Sequence, residues 1–229
     1  MARGHRVKRG RVTDPFRFDL NLLAEDRLEA SFDDARVAGV DEAGRGCLAG
    51  PLVAAAVVLD YARAPFPCLS GLTDSKLLTP EDREDLYGNI LSTATQVVWV
   101  VRSPRTIDQM GLHRCNLAAL ARALETLQGH YAVAVVDGFD LGRPELRSRA
   151  VTGGDYKSAA VAAASIVAKV VRDRLMRSLA SQYPQYGLDE HVGYGTERHR
   201  QALRQYGPSD IHRLSFVGVG SLQLDLWED

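Results

Sequence analysis

The sequence predicts an α/β fold, a mixed five-stranded sheet flanked by helices, with a helical extension toward the C-terminal end. Three observations carry that expectation. Apolar runs of strand length, rich in Val and Ala, recur through the first two thirds of the chain. The first two are joined by a tight hydrophilic connection, whereas later ones alternate with helical segments, so antiparallel and parallel neighbours should share one sheet. The 229 residues contain no internal repeat and no long linker, and suffice for one main domain with a sizeable core.

In order along the chain, "LNLLAEDRLEASF" carries Leu20, Leu23, Leu28 and Phe32 at near-helical spacing and reads as an amphipathic helix beside the first strand. "RVAGV" is a short buried strand, and "PLVAAAVVL" is a second whose unbroken apolar character predicts burial on both faces. After a loop rich in proline and small residues, Thr79, Pro80, Glu81 and Asp82 mark a helix start. "TQVVWVV" is a third strand, and "LHRCNLAALARALETLQ" a helix rich in Ala and Leu. "YAVAVVDGFD" is a strand ending at Asp137, and "SRAVTGGD" a short fifth one. A long helix is expected over "YKSAAVAAASIVAKVVRDRLMRSLASQY", its alanines letting it lie close to the sheet, and "TERHRQALRQYG" is a last helix before an irregular tail.

Basic and acidic residues nearly balance, 28 against 29, so any surface for a polyanion must come from local clustering of charge. Arg3, Arg6, Lys8, Arg9 and Arg11 form one cluster, read as a solvated arm with nucleic-acid contact as the alternative. No window resembles a signal peptide or a membrane span, and the expected location is the cytoplasm. Cys47, Cys68 and Cys115 fit neither a disulfide framework nor a zinc pattern, and the six histidines show no metal-ligand spacing, so no zinc is expected.

Carboxylates stand where predicted strands end or a helix begins: Asp41 with Glu42, Asp137, and Asp155. Singly, each has a plainer reading: a turn at Asp41, a hairpin turn at Asp137-Gly138, a helix N-cap at Asp155. If their strands are neighbours, however, the acids converge at one sheet edge and repel one another unless a cation compensates them. Hard oxygen ligands of this kind suit Mg²⁺ or Mn²⁺, and a pair of such ions suits phosphodiester chemistry. Adjacent strand residues point to opposite faces, so Asp41 and Glu42 can share a site only where their strand is ending, and Gly44 supplies a break. Gly44-Arg45-Gly46 then offers backbone amides and a guanidinium to a phosphate, without the Lys-Ser/Thr ending of a nucleotide-triphosphatase loop.

The segments "VAGVDEAGRGCLAGPLVAAAVVL", "LTDSKLL", "VVDG", "GGDYKSAAVAAASIVAKVVRDRLM", "YPQYGLDEHVGYGT" and "HRLSF" occur in an order and spacing that resembles bacterial ribonuclease HII, from about Val37 to Phe216. The related type III enzyme usually has a lysine where Arg45 stands and an extra N-terminal substrate-binding domain, which the short stretch before the first strand cannot hold. The resemblance implies an RNase H-like fold, with residues 1–33 a basic arm and N-terminal helix, 34–182 the catalytic domain, and 183–229 a helical extension and tail. It implies endonucleolytic cleavage of RNA in RNA/DNA hybrids and cutting 5′ to ribonucleotides embedded in duplex DNA, leaving 3′-hydroxyl and 5′-phosphate ends, as in ribonucleotide repair and primer removal. Asp41, Glu42, Asp137 and Asp155 become the metal-binding catalytic acids; Gly44, Arg45 and Gly46 read the ribose 2′-hydroxyl and its phosphate; Tyr194 stacks at the RNA–DNA junction. Phe139, where the family often has a polar residue, and Leu120, where methionine is frequent, depart from the pattern at positions that are not metal ligands.

Of the basic residues inside these motifs, Lys76 and Lys157 are expected near the substrate, while Lys169 and Arg172 divide evenly between substrate contact and a solvated or ion-paired face. His212 and Arg213 either fix the C-terminal segment or touch DNA. In the tail, Gln223, Leu224, Leu226 and Trp227 of "QLDLW" resemble the peptide by which bacterial repair proteins bind the sliding clamp; the alternative is a tail folded back on its own core. The protein is expected to be a monomer.

Overall fold

The computed structural model describes residues 14–29 and 34–220. The basic arm, Phe32 and the Gln223–Trp227 peptide lie outside the described residues, as does the side chain of Leu28. Helix α1 (Pro15–Glu29) precedes strands β1 (Arg36–Ala43) and β2 (Leu52–Asp60). Helix α2 (Pro80–Thr93), strand β3 (Gln96–Arg102) and helices α3 (Pro104–Met110) and α4 (Leu112–Thr126) follow. Strands β4 (Val133–Asp137) and β5 (Ser148–Val151) come next. Helices α5 (Gly154–Lys157), α6 (Ala159–Ala180), α7 (Leu188–His191) and α8 (Glu197–Tyr206) complete the described chain.

The sheet order is β3-β2-β1-β4-β5. β1, β2 and β3 pair antiparallel; β4 is parallel to β1, and β5 to β4. β2 is buried along nearly its whole length, as its unbroken apolar run requires for a strand with a helix on each face. Helix α6 covers one face together with α1 and α2, and α4 covers the other. Close packing of α6 depends on Gly39 of β1: a Cβ there would stand 2.0 Å from the carbonyl carbon of Ala160. The alanines of residues 159–164 press the helix backbone onto the strand at that point. Helix α1 is pinned to the same place by Asp19, whose buried Oδ2 accepts the Ala160 N–H at 3.0 Å and the Tyr61 hydroxyl at 2.6 Å. A third apolar cluster joins Leu48 and Ala49 to Met176, Tyr186, Leu188, Leu203 and neighbours, seating the C-terminal extension on the far half of α6.

Several expected elements are shifted. Helix α1 begins at Pro15, ahead of the stretch the leucines suggested, and buries Leu22 and Leu23 while Leu20 is 47% exposed. The docking contacts come from the whole helix, Phe16 and Phe18 included, so the stripe through Leu20 misplaces its inner face. The single long helix expected from Tyr156 is two. Ser158 is extended (φ −112°, ψ 128°), and its side chain accepts the Val161 N–H, so it caps α6 while α5 ends just before it. Asp155 therefore lies within α5 and is not the cap of the long helix. The start of α2 is as the sequence indicates: Thr79 and Asp82 form a reciprocal capping box, with Pro80 at the first helical position. The short α3 and α7 were not anticipated. No helix among the described residues is long and apolar enough to cross a membrane.

Candidate active site

The sheet register builds the site. Val40 pairs with Val136 across the parallel strands β1 and β4, so Asp41 and Asp137 each follow by one residue and point to the same face, that of α6. Glu42 is also still within β1, which runs to Ala43, and points to the α4 face. The strand breaks at Gly44 (φ +87°), where the sequence indicates, and the two carboxylates meet because one cleft wraps around the end of the strand. That cleft, about 300 Å³, is lined by Asp41, Glu42 and Asp137 on one side, by Gly44, Arg45 and Gly46 at its rim, and by Lys76, Lys169 and Tyr194 opposite.

Each acid has a distinct setting. Asp41 is buried, and its Oδ1 accepts the Glu42 N–H at 2.7 Å. Burial, with the Glu42 and Asp137 carboxylates adding repulsion against weak relief from Ser165, holds its pKa well above the usual carboxylate range. Burial also raises Glu42, partly offset by Asn116, Arg45 and Lys76, and its Oε2 is buried with no hydrogen-bond partner. Asp137 accepts the Gly154 N–H at 2.7 Å, which ties the start of α5 to the end of β4. Asp155 stands one step back from the cleft, its pKa raised by burial and by Asp137 and Asp74. Lys76 lies between it and Asp74, with Nζ 4.0 Å from Asp155 Oδ2 and 3.7 Å from Asp74 Oδ1. Among the described residues no three His, Cys, Asp or Glu side chains are drawn together into a finished metal cage. Asp41, Glu42 and Asp137 share the cleft, and Asp155 feels the field of Asp137 from behind it.

Two polar residues of this region went unread in the sequence. Asp74 is buried and accepts both the Lys76 N–H (2.9 Å) and the Tyr156 hydroxyl (2.8 Å), coupling the loop before α2 to α5. Its signal was its place in "LTDSKLL". Asn116 is fully buried on α4 with neither amide atom hydrogen-bonded, yet close enough to Glu42 to lower that carboxylate's pKa. A polar residue in the middle of an apolar helix stripe was the available clue.

The rim is braced from beneath. A Cβ at Gly44 would lie 1.8 Å from Arg172 Nε, so glycine's bare backbone is what lets this guanidinium pass under the loop. Arg172 is fully buried and donates from Nε to the Pro51 carbonyl, from Nη2 to Ala49 and from Nη1 to Val192, at 2.9–3.1 Å. Arg213, equally buried, donates from Nε and Nη2 to the Gly50 carbonyl and from Nη1 to Arg45. Arg172 is thus an interior brace, which neither of its two expected readings, substrate contact or a solvated or ion-paired face, described, whereas the buried Arg213 and His212 fix the C-terminal segment, one of the two readings open for them. Lys169 pairs with Asp173 at 2.8 Å and holds its ammonium 5.5 Å from the centre of the Tyr194 ring, which is 41% exposed in the cleft. Arg45 lies 4.9 Å over the Phe139 ring, a cation–π contact that gives the unusual aromatic after "DG" a role in carrying the guanidinium. Leu120 is buried in the apolar cluster under α4. Lys157 does not line the cleft; its ammonium donates to the Thr152 carbonyl at 2.8 Å.

A larger depression, about 510 Å³, lies between Arg105 and Pro208. Its Asp108 is committed to the Leu214 and Ser215 N–H groups, so the chemistry belongs to the smaller acidic cleft.

A mixed five-stranded sheet with carboxylates at the ends of the adjacent parallel strands β1 and β4 defines a hydrolase of the RNase H fold, an endonuclease class. The family model described as Ribonuclease HII matches residues 38–219, and the chain belongs to that family. It is 47% identical over 225 residues to the Ribonuclease HII of Xanthobacter autotrophicus, covering 98% of this chain and 88% of the relative. The crystal structure of ribonuclease H2 from Pyrococcus horikoshii OT3 superposes with a TM-score of 0.75 at 29% identity, over 85% of this chain and 100% of that one. The RNase HII of Archaeoglobus fulgidus, solved in a PCNA:RNase HII complex, gives 0.65 at 30% identity over 77% and 91%.

Proposed function

We propose that this ribonuclease H cuts the phosphodiester on the 5′ side of a ribonucleotide, in RNA/DNA hybrids and at single ribonucleotides embedded in duplex DNA, leaving 3′-hydroxyl and 5′-phosphate ends. The reading rests on one observation: the carboxylates of β1 and β4 share a cleft whose other walls are Gly44-Arg45-Gly46 and the exposed Tyr194 ring. The donor set fits Mg²⁺ or Mn²⁺. Glu42 Oε2 is buried without a partner, and Asp41 carries the cost of burial beside other carboxylates, a cost that a divalent cation removes. Asp41, Glu42, Asp137 and Asp155 would hold the ions. Bound there, a pair of ions supplies an activated water and charge stabilisation for the leaving oxygen.

The chain's own residues orient the substrate. The amides and glycine backbone of residues 44–46 admit close approach of a ribose, whose 2′-hydroxyl is what separates RNA from DNA at a single site. Arg45 meets the neighbouring phosphate with its fork of donors, held at the rim by Phe139. Tyr194 offers its face to the adjoining sugar, and Lys76 contacts a phosphate while balancing Asp74 and Asp155. This specificity suits ribonucleotide repair and primer removal by a cytoplasmic monomer. For the Gln223–Trp227 peptide we propose docking on the sliding clamp, supported by the PCNA complex of the Archaeoglobus relative.

The test is a duplex with one embedded ribonucleotide, offered with and without Mg²⁺ to the wild type and to Asp41→Asn, beside an all-DNA duplex. Metal-dependent cutting 5′ to the ribonucleotide, absent in the variant and in the control, is expected. Metal-independent cutting, or full activity in Asp41→Asn, sinks the reading.

A further inference from the structure

Behind Tyr194, on the side away from the cleft, His191, His199 and His212 are buried together. The rings of His191 and His199 stack with centroids 4.5 Å apart, and His199 Nε2 lies 3.1 Å from His212 Nε2. Their outer contacts fix where each proton sits. Backbone N–H groups donate to His191 Nδ1 (Gly193, 3.2 Å) and to His212 Nδ1 (Ser209, 3.0 Å), so both nitrogens present lone pairs. Carbonyl oxygens of Tyr186 and Tyr194 face His191 Nε2 at 2.7 Å and His199 Nδ1 at 2.9 Å, so both of those nitrogens carry hydrogens. One arrangement remains for the central contact: the His212 Nε2–H donates to the lone pair of His199 Nε2. All three imidazoles are then neutral, and every ring nitrogen is paired.

These bonds form a directed chain from Ser209 through His212 and His199 to the Tyr194 carbonyl. The same short segment is held from the front, since the Gly193 carbonyl accepts the N–H groups of Leu48 (2.9 Å) and Ala49 (3.4 Å), just beyond the Gly44-Arg45-Gly46 rim. Arg172 takes the preceding carbonyl, that of Val192. The peptide that carries Tyr194 is thus suspended between the ribose-facing loop and the histidines. An apolar residue in place of His199 would fill the space but leave the His212 Nε2–H unpaired and the Tyr194 carbonyl with only the Thr196 N–H, at 2.8 Å, to hold it.

We propose that His199, oriented by His212 and flanked by His191, is a positioning residue that sets how far the Tyr194 ring projects toward the ribonucleotide held at Gly44–Gly46. The proposal rests on the reading of Tyr194 as the substrate-facing ring. Its test measures kcat and KM on the embedded-ribonucleotide duplex for His199→Phe, His199→Asn and His199→Gln, each also in a Tyr194→Ala background, together with the Mg²⁺ half-saturation. His199→Phe is expected to lower kcat/KM about 10-fold with the Mg²⁺ half-saturation unchanged, and to have an effect under about twofold once Tyr194 is gone. The amide of Asn falls near Nδ1 and that of Gln near Nε2, so Asn keeps the bond to Tyr194 and Gln the bond to His212. His199→Asn must therefore be the more active of the two, a comparison that holds even if His199→Phe does not fold. Equal losses with and without Tyr194, or Gln outperforming Asn, overturn the proposal while leaving the role of Tyr194 intact. Wild-type kcat/KM in Tyr194→Ala overturns both.

Discussion

The acid cluster at the ends of β1 and β4 and the bracket of Arg172, Arg213 and three histidines are both buried polar regions packed against α6, and they treat their polar groups in opposite ways. In the bracket, carbonyl oxygens receive the guanidinium bonds, and each imidazole nitrogen has a partner. In the acid cluster, carboxylates crowd one another, Asp41 is held in a range where it resists ionisation, and Glu42 Oε2 has no partner. A fold leaves buried charge uncompensated only at a cost, so the difference separates residues that wait for a ligand from residues that hold the waiting ones in place.

Asp41→Asn should break this contrast most sharply. Loss of a carboxylate proposed to hold the metal is expected to reduce single-turnover cleavage by roughly 10³-fold or more. Replacing a buried carboxyl that ionises only at a cost should, in the metal-free protein, raise stability at neutral pH. Urea unfolding in the presence of a chelator measures the second quantity. A variant that loses activity and stability together would place Asp41 among the structural groups.

The bracket should respond in the reverse sense. Arg172→Met leaves three buried carbonyls without donors, and a stability loss of about 3–5 kcal/mol is expected from urea titration. Arg174→Met, which removes an exposed pair with Glu84 and a contact of the guanidinium with the Tyr87 ring, should cost about 1 kcal/mol. Equal losses would mean that the buried fork contributes no more than a surface ion pair.

A milder probe is acid. Burial, with His199 and His191 adding to it, lowers the His212 pKa from its ordinary 6.5 to about 4. Below 6.5 the unfolded chain takes up a proton that the folded one refuses, so stability present above that value is lost progressively as the pH falls toward 4. The span corresponds to roughly 3 kcal/mol at 1.36 kcal/mol per tenfold change in proton affinity. The carboxylates contribute their own dependence in the same window, so the measurement is a difference: His212→Gln should unfold with a shallower pH slope between 6.5 and 4 than the wild type. Parallel slopes would mean that the cluster accepts protons while folded.

How far each region could be read in the sequence follows the same division. The acids were legible because strand ends and paired carboxylates beside glycines are local patterns, and the parallel register of β1 and β4 then brought Asp41 and Asp137 side by side. The capping box at Thr79 and the buried run of β2 were legible for the same reason. The bracket was legible only at His212 and Arg213, for which fixing the C-terminal segment was one of two readings. A charged residue on a helix is ordinarily solvated, and only the spacing of Arg172 from Ala168 and Met176, four residues either way on a buried stripe, marked it as interior. His191 and His199 showed no metal spacing, and their partners include backbone carbonyls and amides, which no residue pattern reveals. The break at Ser158 was hidden by the strong helical composition on both sides of it. Asn116 shows the limit most plainly, since its meaning depends on facing Glu42 across the sheet edge.

The smallest expected effect separates two lysines that the sequence treats alike. Lys76 lines the cleft, and although burial opposes its charge, Asp74, Asp155, Asp41 and Asp137 together outweigh burial and raise its pKa. It is therefore a fixed cation between the acids and an incoming phosphate, yet its side chain is 72% exposed, so solvent screens much of its field. Lys76→Ala should lower kcat/KM about 10-fold, mainly through KM and more strongly at low salt. Lys157 sits two residues beyond Asp155, but its ammonium is turned to the Thr152 carbonyl, and Lys157→Ala should stay within about twofold of wild type at any salt concentration. If the two variants instead show the same salt-dependent loss, Lys157 swings into the cleft when substrate binds. The substrate-facing surface would then extend along α5, beyond the boundary drawn by Lys76 and Tyr194.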